Sequence, residues 1–222
     1  MAKAGGNLLN TYVADYVVFD LETTGISPKT DEVVEISAVK VEHGKVTDEF
    51  STLVNPKQRI PYGASRVKGI TDDMVAEAPF FEQVLEEFLE FIEGFVLVGR
   101  NIARFDMNFL YRDVEKYFER SLANDYIDTL QMARRELPNL EHHRLTDLAE
   151  YYGISAEGAH RALNDCRMNQ QVFEKMGNPV YKKQGKDKEN NRGVDSAKTE
   201  PSEQAQNTAP AVRKRSTFKL RA

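Results

Sequence analysis

The 222-residue sequence has no tryptophan and a single cysteine, Cys166. One thiol excludes an intrachain disulfide and any cysteine-rich zinc site, and such scarcity fits a reducing compartment. Cys166 stands beside Asp165 in an expected helix and reads as core packing, with nothing local to lower its pKa. Long apolar runs are missing as well. No stretch approaches the roughly 18 apolar residues of a membrane span, and Met1 to Asn10 has no apolar centre of signal-peptide length. The expectation is a soluble, cytoplasmic protein with no membrane partner.

An overall excess of positive charge is absent too, the formal net charge being −5. The sequence therefore carries no global signature of nucleic-acid binding, but its charge is unevenly spread. Residues 177–222 hold 11 Lys and Arg against 5 Asp and Glu, while the preceding residues hold 19 against 30. An acidic body still accepts a polyanion when metal ions screen its carboxylates, and a basic tail assists.

What is present, at 41% hydrophobic residues, suffices for one substantial core, so one domain with extensions is expected: an N-terminal extension over 1–12, a domain over 13–176 and a disordered basic tail over 177–222. Strands are expected at Tyr16 to Thr23, Val33 to Val41 and Val46 to Val54, with His43-Gly44 joining the last two in a hairpin. The stretch from Ile60 to Pro79 is turn-rich, with a short helix starting after Thr71. Phe81, Val84, Leu85, Phe88, Leu89 and Ile92 then recur at helical spacing opposite four glutamates, which marks an amphipathic helix. A short strand over Phe95 to Gly99, a helix opening near Asp106, a fifth strand at Tyr126 to Asp128 and helices at 129–136, 145–152 and 162–176 follow, with Gly153 as a helix stop. Three antiparallel strands followed by alternating helix and strand imply an α/β fold on one mixed five-stranded sheet flanked by helices.

The first strand ends in two acids one residue apart, Asp20 and Glu22. Strand side chains alternate between faces, so these two share a face, and adjacent like charges are costly unless one is protonated or a cation lies between them. Hard divalent ions such as Mg2+ or Mn2+ take oxygen ligands and meet that need. A strand end dipping into solvent is the simpler alternative.

Three segments taken in order go further. Phe19-Asp20-Leu21-Glu22-Thr23-Thr24-Gly25, Asn101-Ile102-Ala103-Arg104-Phe105-Asp106 and His160-Arg161-Ala162-Leu163-Asn164-Asp165 resemble the three exonuclease motifs of the DEDD superfamily, histidine branch, which includes proofreading epsilon subunits of bacterial DNA polymerase III. The likeness spans roughly residues 13–176 and extends to Gly69-Ile70-Thr71 and Ile127-Asp128-Thr129-Leu130. It implies a ribonuclease-H-like fold and 3′-to-5′ hydrolysis of a nucleic acid one nucleotide at a time; a metal-dependent exonuclease acting on DNA ends is the leading expectation. It further implies that Asp20, Glu22, Asp106 and Asp165 hold two divalent cations, Mg2+ or Mn2+, with Asp20 shared, and that His160 is the general base. Two ions about 3.5 to 4 Å apart stabilise the attacking and leaving oxygens of an in-line displacement, and a histidine near its ordinary pKa of about 6.5 takes a proton at neutral pH.

On one continuous helix His160 and Asp165 would diverge by about 140°, so His160 is expected on the loop before it. The resemblance also assigns substrate contacts to Thr23, whose backbone would meet the terminal 3′-hydroxyl, and to Asn101 and Arg100. Arg100 stands where the family commonly has histidine, and it reads either as a bidentate phosphate grip or as a structural ion-pair partner. Asp128 either supports the acids from behind or caps the next helix, and His142 and His143 read as solvated. An RNA-trimming enzyme of the same superfamily and an inactive interaction module are the alternatives. The expected partners are a nucleic-acid 3′ end, DNA before RNA, and a DNA polymerase catalytic subunit reached through the tail, whose end Arg213-Lys214-Arg215-Ser216-Thr217-Phe218-Lys219-Leu220 combines basic and apolar residues.

Overall fold

The strand at the centre of the sheet is the one that ends in Asp20 and Glu22. In the computed structural model, which describes residues 5–157 and 161–181, the elements run β1 (Tyr16–Thr23), β2 (Val33–Glu42), β3 (Lys45–Leu53), α1 (Tyr62–Lys68), α2 (Asp72–Val75), α3 (Phe81–Phe91), β4 (Val96–Gly99), α4 (Asp106–Phe118), β5 (Tyr126–Asp128), α5 (Thr129–Glu136), α6 (Leu145–Tyr152) and α7 (Ala162–Gly177). The sheet order is β3-β2-β1-β4-β5. β1 and β2 pair antiparallel, as do β2 and β3, whereas β1 with β4 and β4 with β5 are parallel. The expected mixed five-stranded α/β architecture is therefore the one observed.

Helices cover both faces of β1, and its apolar run is continuous because each residue has a core to enter. Val17, Phe19 and Leu21 point into a cluster with Leu85 and Phe88 of α3 and Phe109 and Leu110 of α4. Tyr16 and Val18 point the other way, against Val172, Phe173 and Met176 of α7 and Met132 of α5. Asp20 and Glu22 continue this second series, so the alternation of β1 sends both acids to the side that α7 covers.

Local sequence explains most boundaries. His43 and Gly44 both take positive φ, 54° and 73°, as a tight hairpin turn of this hand requires. Gly153 ends α6 in the left-handed conformation and donates its N–H to the Ala149 and Glu150 carbonyls. The helix α1 was not expected: it buries no residue, so no apolar stripe announces it, and it is bounded by Pro61 before it and by left-handed Gly69 after it. Thr71 precedes α2 as expected but makes no side-chain cap; Asp72 instead accepts from the Ile60 N–H at 2.8 Å.

The segment read as an N-terminal extension is attached to the sheet edge. Leu9 donates to the Tyr126 carbonyl at 2.7 Å and Tyr126 to the Asn7 carbonyl at 2.9 Å, while Tyr12 packs on Phe173 and donates to Glu174. The expected disordered tail starts too early at 177: Gly177 closes α7, where it is buried, and the Asn178 side-chain amide donates to Tyr12 and Glu174; residues 182–222 lie outside the described residues, as does His160.

Candidate active site

Three elements bring the four acids together. β1 supplies Asp20 and Glu22, and α7 supplies Asp165 from its first turn. One oxygen from each of these three carboxylates lies within 4.8 Å of the other two, a spacing able to hold a metal ion. Asp106 opens α4, and its Oδ1 accepts from the Leu21 N–H at 3.2 Å, which ties the helix to β1 between the two acids of that strand. Asp106 borders the three-acid group without being part of it, yet its charge acts on Asp20.

Burial dominates the electrostatics. Asp20 is pushed well above the usual carboxylate range, first by burial and then by Asp106, Glu22 and Asp165. Asp106 is raised to about 7, again mainly by burial, against the pull of hydrogen bonds from its own and the Leu21 backbone N–H groups. Glu22 is raised by burial and held back by Lys68. Hard oxygen donors crowded at this distance, with protonation favoured for want of a positive charge, fit a divalent cation.

Lys68 went unrecognised in the sequence. The last residue of α1, it forms an ion pair with Glu22 at 2.9 Å, both side chains being less than a fifth exposed, and donates to the Thr23 carbonyl at 2.7 Å. No local pattern marks it, because its partner is 46 positions away in the chain and its helix has no apolar stripe. Glu35 of β2 was also missed. It is 3% exposed, paired with Arg161 at 3.1 Å and placed to accept from the Ala162 N–H at the start of α7, where it anchors the turn that carries Asp165.

The second motif folds around a left-handed residue. Asn101 has φ 57°, its N–H donates to Asp128 Oδ1 at 3.1 Å, and its carbonyl accepts from the N–H groups of Arg104 and Phe105. Asp128 Oδ1 also caps α5 by accepting from Leu130 and Gln131, so one carboxylate serves both the helix and the turn leading to Asp106. Arg100 donates from Nη2 to the His143 carbonyl at 3.0 Å, while its buried Nε has no hydrogen-bond partner. His142 is exposed as expected, whereas the His143 ring contacts the Leu137 carbonyl at 3.0 Å. Cys166 is buried, donates to the Ser37 carbonyl, and its thiol is pushed up by burial, in keeping with a packing role. Thr23 is fully buried. The structure thus gathers Asp20, Glu22 and Asp165, sets Asp106 against them, and places Arg100 and Asn101 at the end of the neighbouring strand β4.

A mixed five-stranded sheet with half-buried acids near the end of its central strand, met by acids from two helices, defines a nuclease-type centre. The comparisons agree. The family model described as Exonuclease matches residues 17–173. A DNA polymerase III PolC-type of Clostridium perfringens (strain 13 / Type A) is 40% identical over 166 residues, 73% of this chain and 11% of that protein. The DNA polymerase III subunit epsilon of Aquifex aeolicus (strain VF5) is 36% identical over 183 residues, 82% of this chain and 89% of that one. A solved structure of Exonuclease X in complex with 5′ overhanging duplex DNA superposes with a TM-score of 0.61 at 26% identity, covering 72% of this chain and 90% of that one. The chain belongs to the exonuclease family. It spans about a tenth of the length of the PolC-type relatives. Among the described residues no helix is long and apolar enough to cross a membrane.

Proposed function

We propose that this protein is a divalent-metal-dependent 3′-to-5′ exonuclease that releases nucleoside monophosphates from DNA ends, working as a proofreading subunit beside a DNA polymerase. The observation that carries the reading is the approach of Asp20, Glu22 and Asp165 to within 4.8 Å of one another. In this reading these three and Asp106 hold two divalent cations, Mg2+ or Mn2+. When bound, such ions stabilise the charge that develops on the attacking and leaving oxygens.

The chain's own groups do the rest. His160, just before α7, takes the proton of the attacking water, which places the protein in the histidine branch. The Thr23 backbone meets the terminal 3′-hydroxyl, Lys68 and the turn at Asn101 fix the walls on either side, and Arg100 faces the strand. Residues 13–176 form the catalytic domain, and the basic segment 177–222 reaches the polymerase catalytic subunit. The Aquifex aeolicus epsilon subunit and the PolC-type relatives support that association, and Exonuclease X bound to DNA supports DNA as substrate.

The test uses matched 5′-labelled single strands of DNA and RNA. The expected result is a ladder shortened stepwise from the 3′ end of the DNA, dependent on Mg2+ or Mn2+, abolished in Asp20→Asn and slowed by roughly 100-fold to 10,000-fold in His160→Ala. Trimming of RNA alone, internal cleavage, or cleavage that survives chelation counts against it.

A further inference from the structure

Between Arg100, which follows β4, the start of α5 and the segment leading into α6 lies an open cleft of about 500 Å³ whose charge is opposite in sign to that of the acid cluster. Its walls include Arg100, Arg134, Arg144, His142 and His143, with Glu141 as the lone carboxylate among the lining residues. Arg144 is committed to Asp147, with contacts of 2.9 to 3.2 Å. Arg100 differs. Its guanidinium bonds to a neutral carbonyl, keeps a buried Nε without a partner and enters no close ion pair among the described residues, although Asp128, Asp147 and Asp20 attract it without an ion-pair contact. Burial penalises this charge by more than those carboxylates return, so its pKa is lowered on balance, and an anion in the cleft that takes the free N–H relieves that cost.

The cleft is also placed to meet a strand. Val18 of β1 lies opposite Val98 of β4 in the last pair of their parallel register; two residues further on come Asp20, still inside β1, and Arg100, just past the end of β4, so both follow from the same end of the paired strands. A polynucleotide whose terminal phosphodiester sits on the acids must place its next phosphates nearby, and the acidic body offers them few cations. Guanidinium groups recognise phosphate through paired N–H donors and do so without regard to base.

We propose that this cleft binds a backbone phosphate of the nucleic-acid strand on the 5′ side of the bond that is cut, with Arg100 as the fixed floor and Arg134 as the outer contact. The proposal rests on the exonuclease reading and adds a sequence-independent grip to it. The other source of the same chemistry is the phosphate of the released nucleotide.

The test compares Arg134→Ala and Arg134→Glu with Arg135→Ala, which removes the same charge from a residue paired with Glu136 and the Asn10 carbonyl outside the cleft. Steady-state hydrolysis of a 5′-labelled oligothymidylate is followed across a salt series with Mg2+, beside the p-nitrophenyl ester of thymidine 5′-monophosphate, which has a single phosphate. In Arg134→Ala the KM for the oligonucleotide rises roughly tenfold with kcat little changed, more so in Arg134→Glu, and the salt dependence of log kcat/KM flattens by about 0.7 per lost phosphate contact. The ester loses less than the oligonucleotide does, and Arg135→Ala follows the wild type. Equal KM and equal salt slopes in Arg134→Ala and Arg135→Ala overturn the proposal. Weaker inhibition by thymidine 5′-monophosphate with an unchanged oligonucleotide KM also overturns it, by assigning the cleft to the product. Should the wild type cut neither substrate, the exonuclease reading fails, and fluorescence anisotropy of the same oligonucleotide on the same variants still decides the cleft.

Discussion

At the scale of single residues, the informative contact is the one between Lys68 and Glu22. An ammonium 2.9 Å from a carboxylate of the acid cluster, both largely withdrawn from water, supplies part of the positive charge that the cluster calls for. Removing it leaves Glu22 unbalanced, which for fully buried pairs costs 3–5 kcal/mol; with some exposure remaining on both partners, about 2 kcal/mol is expected for Lys68→Met in the metal-free protein. A bound divalent ion replaces the missing charge, so the loss shrinks when Mg2+ is present. Urea denaturation with chelator and with Mg2+ measures both values, and an equal loss in the two conditions contradicts this account of Lys68. The acids themselves were legible because alternation along one strand needs only neighbouring positions. Lys68 and Glu35 were not, since each acts on a residue brought close only by the folded chain.

At the scale of elements, the stripe of α3 shows what periodicity conveys. Phe81, Val84, Leu85 and Phe88 all face the sheet, and Phe88 is fully buried, with ring centroids 5.6 Å from Phe19 and 5.7 Å from Phe50. Phe88→Ala removes a ring that joins α3 to both β1 and β3, and a destabilisation of about 3–5 kcal/mol is expected by denaturant unfolding; a change under 1 kcal/mol shows that the site collapses or that the packing is otherwise. The same stripe made α3 readable, as continuous apolar runs made β1 and β2 readable. α1 lacks both signals and reads in sequence as a turn-rich stretch, though it carries Lys68, the partner of Glu22. The choice for Asp128 between supporting the acids and capping was likewise undecidable from sequence, and the structure gives it the cap on α5 together with a bond to the Asn101 N–H. For Arg100 the structure shows a guanidinium bonded to a carbonyl and in no ion pair among the described residues.

At the scale of the whole molecule, the centre is a place where stability is given up. Asp106 is raised to about 7 and Asp20 is also raised, whereas an aspartate in an unfolded chain titrates near 3.9. Between these values the folded, metal-free protein retains protons that the unfolded chain has released, so its stability falls as pH rises from about 4 toward 7 and stays reduced above that. A divalent ion takes the place of those protons, and its binding therefore releases them and is favoured at high pH. An asparagine at position 20 removes the repulsion and the ligand together.

Thermal unfolding of the wild type and of Asp20→Asn at pH 8, with and without Mn2+, tests the claim that crowded, mutually repelling carboxylates form a cation site. Without metal, Asp20→Asn is expected to melt above the wild type. Mn2+ at about 100 times its Kd stabilises the wild type by about 2.7 kcal/mol, which for a chain of this length raises its Tm by roughly 5–10 °C, and leaves Asp20→Asn nearly unmoved. Equal shifts in the two proteins, or none in either, contradict it.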